Sequence, residues 1–319
     1  RRESTELTDT LTTIENGNVE RSHSVRVFTE LSAALATKSQ ITIVANPTSL
    51  HVPIVRAALE AGSDVFVEKP LSADFQGVQQ IVDDARRLGR IGFVAYQLRF
   101  HPAVQTLLDF VASGELGAIH GGHVEVSEYL PGFHPYEDYR RMYASRRDLG
   151  GGVTLTQIHE IDLLYALFGL PERVYSIGDH VSSLEIDVED SASSLLGYRR
   201  PDGRAFGIQL HQDYLGRPPR RSFCLWGERG HLALHLRRGS LVFTNTDGVT
   251  TQLADAPDYP RNQMFRDELQ HFLACVETRE EPLVSLYDGA QSLRIALALR
   301  ASQENQRALV LRGEEYVDA

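Results

Sequence analysis

Two places in the chain set an acid and a base side by side where folding should bury them. In SDVFVEKPLS, residues 63–72, the apolar run Val65-Phe66-Val67 leads straight into Glu68, Lys69 and Pro70. An unpaired ammonium at the mouth of a buried strand is costly, so Lys69 there needs a purpose. A lysine so placed can hydrogen-bond an alcohol or carbonyl oxygen and exchange a proton with it, as alcohol oxidation requires. Glu68 can orient or neutralise Lys69, and Pro70 removes a backbone donor and stiffens the turn. The second place is TQIHEID, residues 156–162. His159 there is a proton shuttle by type, and Asp162, three positions on along the same helical face, can fix its tautomer. Plainer readings stand beside these: Glu68 and Lys69 as solvated residues at a strand end, His159 as part of a helix cap.

The elements around Lys69 alternate. ITIVA at 41–45 reads as a strand buried on both faces and stopped at Asn46-Pro47. Thr48 or Ser49 can cap a helix whose apolar positions are Leu50, Ile54, Val55, Ala58 and Leu59, ending at Gly62. VFV is the next strand. Phe75, Val78, Ile81, Val82, Ala85 and Leu88 make a second amphipathic helix, and IGFVAY at 91–96 another strand. With SVRVF at 24–28, the pattern predicts a doubly wound, Rossmann-like parallel sheet of the α/β class. Such sheets bind ligands beyond the carboxyl ends of their strands, which puts Asn46-Pro47-Thr48, Glu68-Lys69-Pro70 and Gln97 along one edge.

Past residue 98 the rhythm changes. Strands are expected at 119–129, 173–182, 191–199, 205–213, 221–227, 231–236 and 240–244, joined by short turns such as PDG and ERG, which predicts a large, mainly antiparallel open sheet. Ile158, Ile161, Leu164, Tyr165 and Phe168 share a helical face, with Thr156 as cap and Gly169 as stop. Helices at 261–278 and 288–304 close the chain. The change of pattern divides it into an incomplete dinucleotide-binding domain, 1–98, and a substrate-binding and oligomerisation domain of α+β type, 99–319.

Composition narrows the function classes. With 42% hydrophobic and 24% charged residues over 319 positions, the chain can build two cores. A formal net charge of -11 argues against nucleic acid or an anionic membrane surface as partner. Cys224 and Cys275 are the two cysteines, which excludes a disulfide framework and suits the cytoplasm. No apolar run approaches the length of a membrane span. His120, His123 and Glu125 in HGGHVE lack a helical i, i+4 pair, so no metal site is assigned.

No G-x-G-x-x-G turn occurs in the sequence, and Gly150-Gly151-Gly152 follows SRRDL rather than a strand. Even so, VANPTSLHVPIVRAALEAGSDVFVEKPLS, then AYQLRFHPAV, then the glycine turn and a histidine-bearing helix, resembles the Gfo/Idh/MocA family of NAD(P)-dependent oxidoreductases acting on sugars and polyols. The resemblance runs from about residue 24 to 312. It implies Lys69 and His159 as catalytic residues, and NAD or NADP contacted by Asn46, Pro47, Thr48, His51, Glu68, Lys69 and Gln97. It implies substrate contacts from Arg99, Tyr136, Tyr139, Arg140, Thr156 and His159, and a homodimer or homotetramer assembled through the second sheet, whose Phe223, Leu225, Leu232 and Leu234 are the expected interface residues. The segment HPYEDYRRMYASRRDLGGG is similar to members of bacterial surface-sugar pathways, which points to an amino-sugar or nucleotide-sugar substrate.

Two departures accompany the resemblance. The family's opening strand, glycine turn, first helix and second strand have no counterpart here, so residue 1 is expected to fall just after the usual acidic ribose contact. Residues 1–319 alone are then expected to bind the dinucleotide weakly and to aggregate. Many members also carry Asp or Asn shortly before the histidine, where this chain has Leu155 and Thr156. The alternatives are a sugar-binding or regulatory relative without the cofactor, favoured by the missing glycine turn, and a structural subunit. The pair Lys69 and His159 favours the enzyme.

Overall fold

The computed structural model describes residues 5–7, 13–18, 23–313 and 315–319. Strands β1 (Thr5–Leu7) and β2 (Thr13–Asn18) pair antiparallel. Helix α1 (Leu31–Leu35) follows, then β3 (Ile41–Val44), α2 (His51–Glu60), β4 (Asp64–Glu68), α3 (Val78–Arg87) and β5 (Gly92–Ala95). The last three strands form a parallel sheet in the order β3-β4-β5, with Val44 beside Val67 and Glu68 beside Ala95.

Two sequence expectations fail here. Residues 25–28 form no strand, and Val25 and Val27 are exposed. Alternating β-branched residues state a preference, but a strand also needs a neighbouring ladder to pair with, and this segment has none among the described residues. Nor is β3 buried on both faces: among the described residues it pairs only with β4, and Ile43 is 56% exposed while Val44 is buried. Strand β4, between two neighbours, is buried from Asp64 to Val67 as its uninterrupted apolar run requires.

Beyond β5 come α4 (Pro102–Ala112), which the sequence reading passed over, and β6 (Ile119–Ser127), then the short α5 (Val153–Thr156) and α6 (His159–Phe168). Next are β7 (Arg173–Asp179), β8 (Ser191–Arg199), β9 (Ala205–Asp213), β10 (Arg220–Gly227), β11 (Gly230–His235), β12 (Ser240–Asn245) and β13 (Thr250–Asp255). Helices α7 (Arg261–Thr278) and α8 (Leu286–Asn305) precede the hairpin β14 (Leu309–Arg312) and β15 (Glu315–Asp318). β6 to β15 make one ten-stranded sheet, ordered β13-β12-β11-β10-β6-β9-β8-β7-β14-β15, antiparallel except for the β6–β9 pair.

Phe223, Leu225, Leu232 and Leu234 are fully buried on the face of this sheet that joins the main core. They are therefore not surface residues, as the sequence reading expected. Tyr175, Ile177, Leu195, Trp226 and Val317 are the large apolar residues left exposed on the sheet. Period-two alternation identifies two faces but not which one the helices cover.

The C-terminal helices return to the first sheet. Phe272 of α7 packs at ring-centroid distances of 5.6 and 6.0 Å on Phe66 and Phe93, which stack at 5.2 Å. α8, about 30 Å long at the helical rise, starts beside β5, where Ser285 bridges Phe93. It ends against β7, where Ser302 Oγ accepts from Ser176 N at 3.0 Å.

Candidate active site

Lys69 stands at the carboxyl end of β4, and its ammonium is fixed by the other half of the molecule. Nζ donates to the carbonyl oxygen of Thr156 at 2.9 Å and to Tyr143 Oη at 3.4 Å. An ammonium has three donors, so one N–H remains for a further acceptor. Thr156 is thus present through its carbonyl at the end of α5, and it does not cap α6: Ile158 occupies the cap position without a side-chain bond. Tyr143 was not singled out from the sequence. The aromatic segment HPYEDYRRMY was the signal, but spacing alone did not say which tyrosine turns inward.

The glycine turn carries out this docking. A Cβ on Gly151 would lie 2.3 Å from the carbonyl oxygen of Tyr143, and one on Gly152, at φ +108°, would lie 2.4 Å from a Glu189 carboxylate oxygen. Only bare backbone fits there, and this close approach brings α5 and the Tyr143 loop together over Lys69.

His159 is 4% exposed in the first turn of α6, edge-on to the Tyr96 ring at 5.7 Å, with Nδ1 buried and unpartnered. Burial, then the positive charges of Lys69 and Arg221, hold its pKa well below 6.5, so it is neutral at pH 7. Two buried ion pairs set the helix in place. Arg221 of β10 donates from Nε to Glu160 at 2.6 Å, and Arg99 grips Asp162 through Nε and Nη2 at 2.7 and 2.9 Å. Ser292 of α8 adds a bond to Asp162 at 3.1 Å. Asp162 is therefore committed to Arg99 and does not orient His159, and Arg99, 8% exposed, is held by this pair.

The edge of the parallel sheet gathers Asn46, Pro47, Thr48, Glu68, Lys69 and Gln97 at the ends of β3, β4 and β5. Asn46 Nδ2 is buried with no partner. His51 lies beneath this edge: its Nδ1 is 2.9 Å from the Pro70 carbonyl oxygen and its Nε2 2.8 Å from that of Asn46. Its two ring nitrogens thus face carbonyls from two strand ends, and the neutral form that burial favours donates to one of them. Glu68 does not face Lys69 alone. Burial raises its pKa, with Lys69 partly offsetting this. Glu268 of α7, 2% exposed with Oε2 unpartnered, is pushed up to about 9 by burial and by the charge of Glu68.

Of the expected substrate residues, Tyr136 is partly exposed and stacks on His134 at 5.5 Å. The His134 pKa is lowered by burial, with Arg261 and Lys69 adding to this against Glu137. Tyr139 Oη accepts from Glu185 N at 3.2 Å, and Arg140 is exposed and paired with Asp138 and Glu185.

Residues 4–96 match the model of the Gfo/Idh/MocA oxidoreductase family with its NAD-binding Rossmann fold, and residues 104–233 match that family's C-terminal domain. An uncharacterized oxidoreductase of Rhizobium meliloti is 32% identical over 81% of this chain and 76% of its own length. Myo-inositol 2-dehydrogenase of Thermotoga maritima is 26% identical over 84% of this chain and 79% of its own. Among solved structures, the WlbA dehydrogenase from Bordetella pertussis, in complex with NADH and UDP-GlcNAcA, superposes with a TM-score of 0.75 at 22% identity, covering 92% of this chain and 86% of that one. The chain belongs to the Gfo/Idh/MocA family of oxidoreductases, which use NAD or NADP on CH–OH groups.

Proposed function

We propose that this oxidoreductase interconverts a secondary alcohol and a ketone on a sugar or sugar derivative, with Lys69 and His159 as its acid–base pair. The observation that carries the reading is the fixed ammonium of Lys69, one donor unengaged, beside a buried neutral imidazole at the carboxyl edge of a parallel sheet. The spare N–H of Lys69 hydrogen-bonds the reacting oxygen. His159, neutral, takes the hydroxyl proton on oxidation and returns it on reduction.

The residues of this edge fit a nicotinamide dinucleotide. Asn46 offers an unpartnered buried amide, and Pro47, Thr48, Glu68 and Gln97 stand at the same sheet edge. When bound, the dinucleotide accepts or supplies the hydride. Names among the relatives, myo-inositol 2-dehydrogenase and a dehydrogenase complexed with UDP-GlcNAcA, support a polyhydroxylated ring and, more narrowly, an amino-sugar nucleotide. The exposed apolar residues Ile177, Leu195 and Trp226 support a homo-oligomer closed over the outer sheet face. Two free cysteines suit a reducing compartment. No helix among the described residues is long and apolar enough to cross a membrane.

The test is steady-state kinetics on sugar and sugar-nucleotide panels with full-length protein. Lys69→Ala should lower kcat by about 10²-fold or more while the melting temperature is kept, the scale of general acid–base catalysis. His159→Asn should lose a similar factor. Undiminished turnover in both variants would overturn the assignment.

A further inference from the structure

A half-open cavity of about 440 Å³ lies at the opposite end of the parallel sheet, bordered by the end of α3, the turn into β5, the turn after α7 and the start of α8. β4 runs from Asp64 to Glu68, so four strand steps, about 13 Å, separate this end from the Lys69 edge.

Three arginines line the cavity: Arg86 near the end of α3, Arg90 in the turn that follows it, and Arg279 after α7. Arg86 lies over the Tyr287 ring, 5.3 Å from its centroid. Arg279 gives Nη1 to both carboxylate oxygens of Asp64, at 2.9 and 2.8 Å, and its other nitrogens make no hydrogen bond among the described residues. Arg90 Nε is buried without a partner. Glu281 is the only acid in the lining, and Val82, Ile91 and Leu286 supply an apolar floor.

With Arg279 answered by Asp64, two guanidiniums oppose one carboxylate, a local excess of positive charge in a chain of net charge -11. One arginine fork saturates a carboxylate, whereas three terminal phosphate oxygens suit guanidiniums converging from different elements. The volume falls in the range of small-molecule sites, and an apolar floor with an aromatic ring asks for more than a bare anion. We propose that this cavity binds a small organic phosphate, a phosphate joined to a flat or apolar body, away from the site of hydride transfer. It rests on none of the catalytic assignments above.

The test is calorimetric titration of the full-length protein with phenyl phosphate at saturating NADH, so that the dinucleotide's own phosphate contacts are filled. Saturable binding is expected, with inorganic phosphate and benzoate each at least about tenfold weaker. Arg86→Gln combined with Arg90→Gln should weaken phenyl phosphate by about tenfold or more per guanidinium and leave NADH affinity unchanged. Should the double variant fail to fold, Arg86→Gln alone, at an exposed position, reads the same loss. Tyr287→Ala should erase the preference for phenyl phosphate over inorganic phosphate. No binding up to about 10 mM, equal binding of benzoate, or wild-type affinity in the arginine variants would overturn the proposal.

Discussion

The ammonium of Lys69 donates to the carbonyl oxygen of Thr156, 87 positions later in the chain, at 2.9 Å. One bond thus locks the strand mouth of the first sheet to the short helix that precedes His159. Tertiary docking brings the strand mouth and the segment before His159 together, and Tyr143 adds a contact to Lys69 from a third segment.

Tyr143→Phe removes the hydroxyl that Lys69 reaches at 3.4 Å and leaves the ring packing in place. kcat/KM should fall about tenfold, the worth of a hydrogen bond to a charged group, with little change in melting temperature. Wild-type kinetics would assign Tyr143 to packing alone.

His159 should dominate a step in the acid stability profile. Its native pKa lies well below 6.5 because burial and two cations disfavour the imidazolium. The unfolded chain takes up the proton near pH 6.5 while the native state does not, so stability is full above that pH and declines as pH falls toward the native pKa. His159→Gln should flatten this decline in urea titrations between pH 6.5 and 5. An identical slope in both proteins would show that His159 protonates freely in the fold.

Glu268 works in the opposite direction. Its native pKa of about 9 exceeds the ordinary 4.5, so the native carboxyl keeps a proton that the unfolded one releases, and the cost to the fold grows from pH 4.5 up to about 9. Glu268→Gln keeps the shape of the neutral acid and should stabilise the fold at pH 8, and by less at pH 5. A pH-independent difference between the two proteins would refute the shift.

The outer sheet face should hold the assembly together. Ile177 and Leu195 are 65% and 50% exposed, and Ile177→Glu with Leu195→Glu should yield a folded monomer by sedimentation velocity. On the inner face, Leu225→Ala should instead cost about 2–5 kcal/mol of stability and leave the assembly state of the folded fraction unchanged. An assembled double glutamate variant would remove this face from consideration.

Much of the layout was legible in the chain because it follows from local pattern. The run at Val65–Val67, the helical spacing of Ile158 to Phe168 and the alternation at 191–199 and 205–213 each report a periodicity that backbone geometry enforces. Lys69 at a strand end and His159 in a first helical turn could be found the same way. Partners lay beyond that reach. Asp162 is three residues from His159 yet is held by Arg99 at 2.7 Å, because a buried guanidinium must find a carboxylate and tertiary packing chose which. Likewise, the first segment's alternation at Val25 and Val27 predicted a strand that finds no ladder among the described residues, and the apolar face at Phe223 to Leu234 turned inward.

The sequence by itself determined the two sheets, the parallel edge that presents Asn46, Lys69 and Gln97, and the residue types able to move a proton. Tertiary structure alone decided that Tyr143 rather than Tyr139 meets Lys69, that Thr156 serves through its carbonyl, that Glu268 faces Glu68, and that arginines from α3 and the turn after α7 converge on one cavity. The physical reason is that helical and strand periods are fixed within a few residues by backbone geometry. Which distant side chains share a buried site depends instead on how the elements pack, and bare backbone at Gly151 and Gly152 sets how closely they can approach.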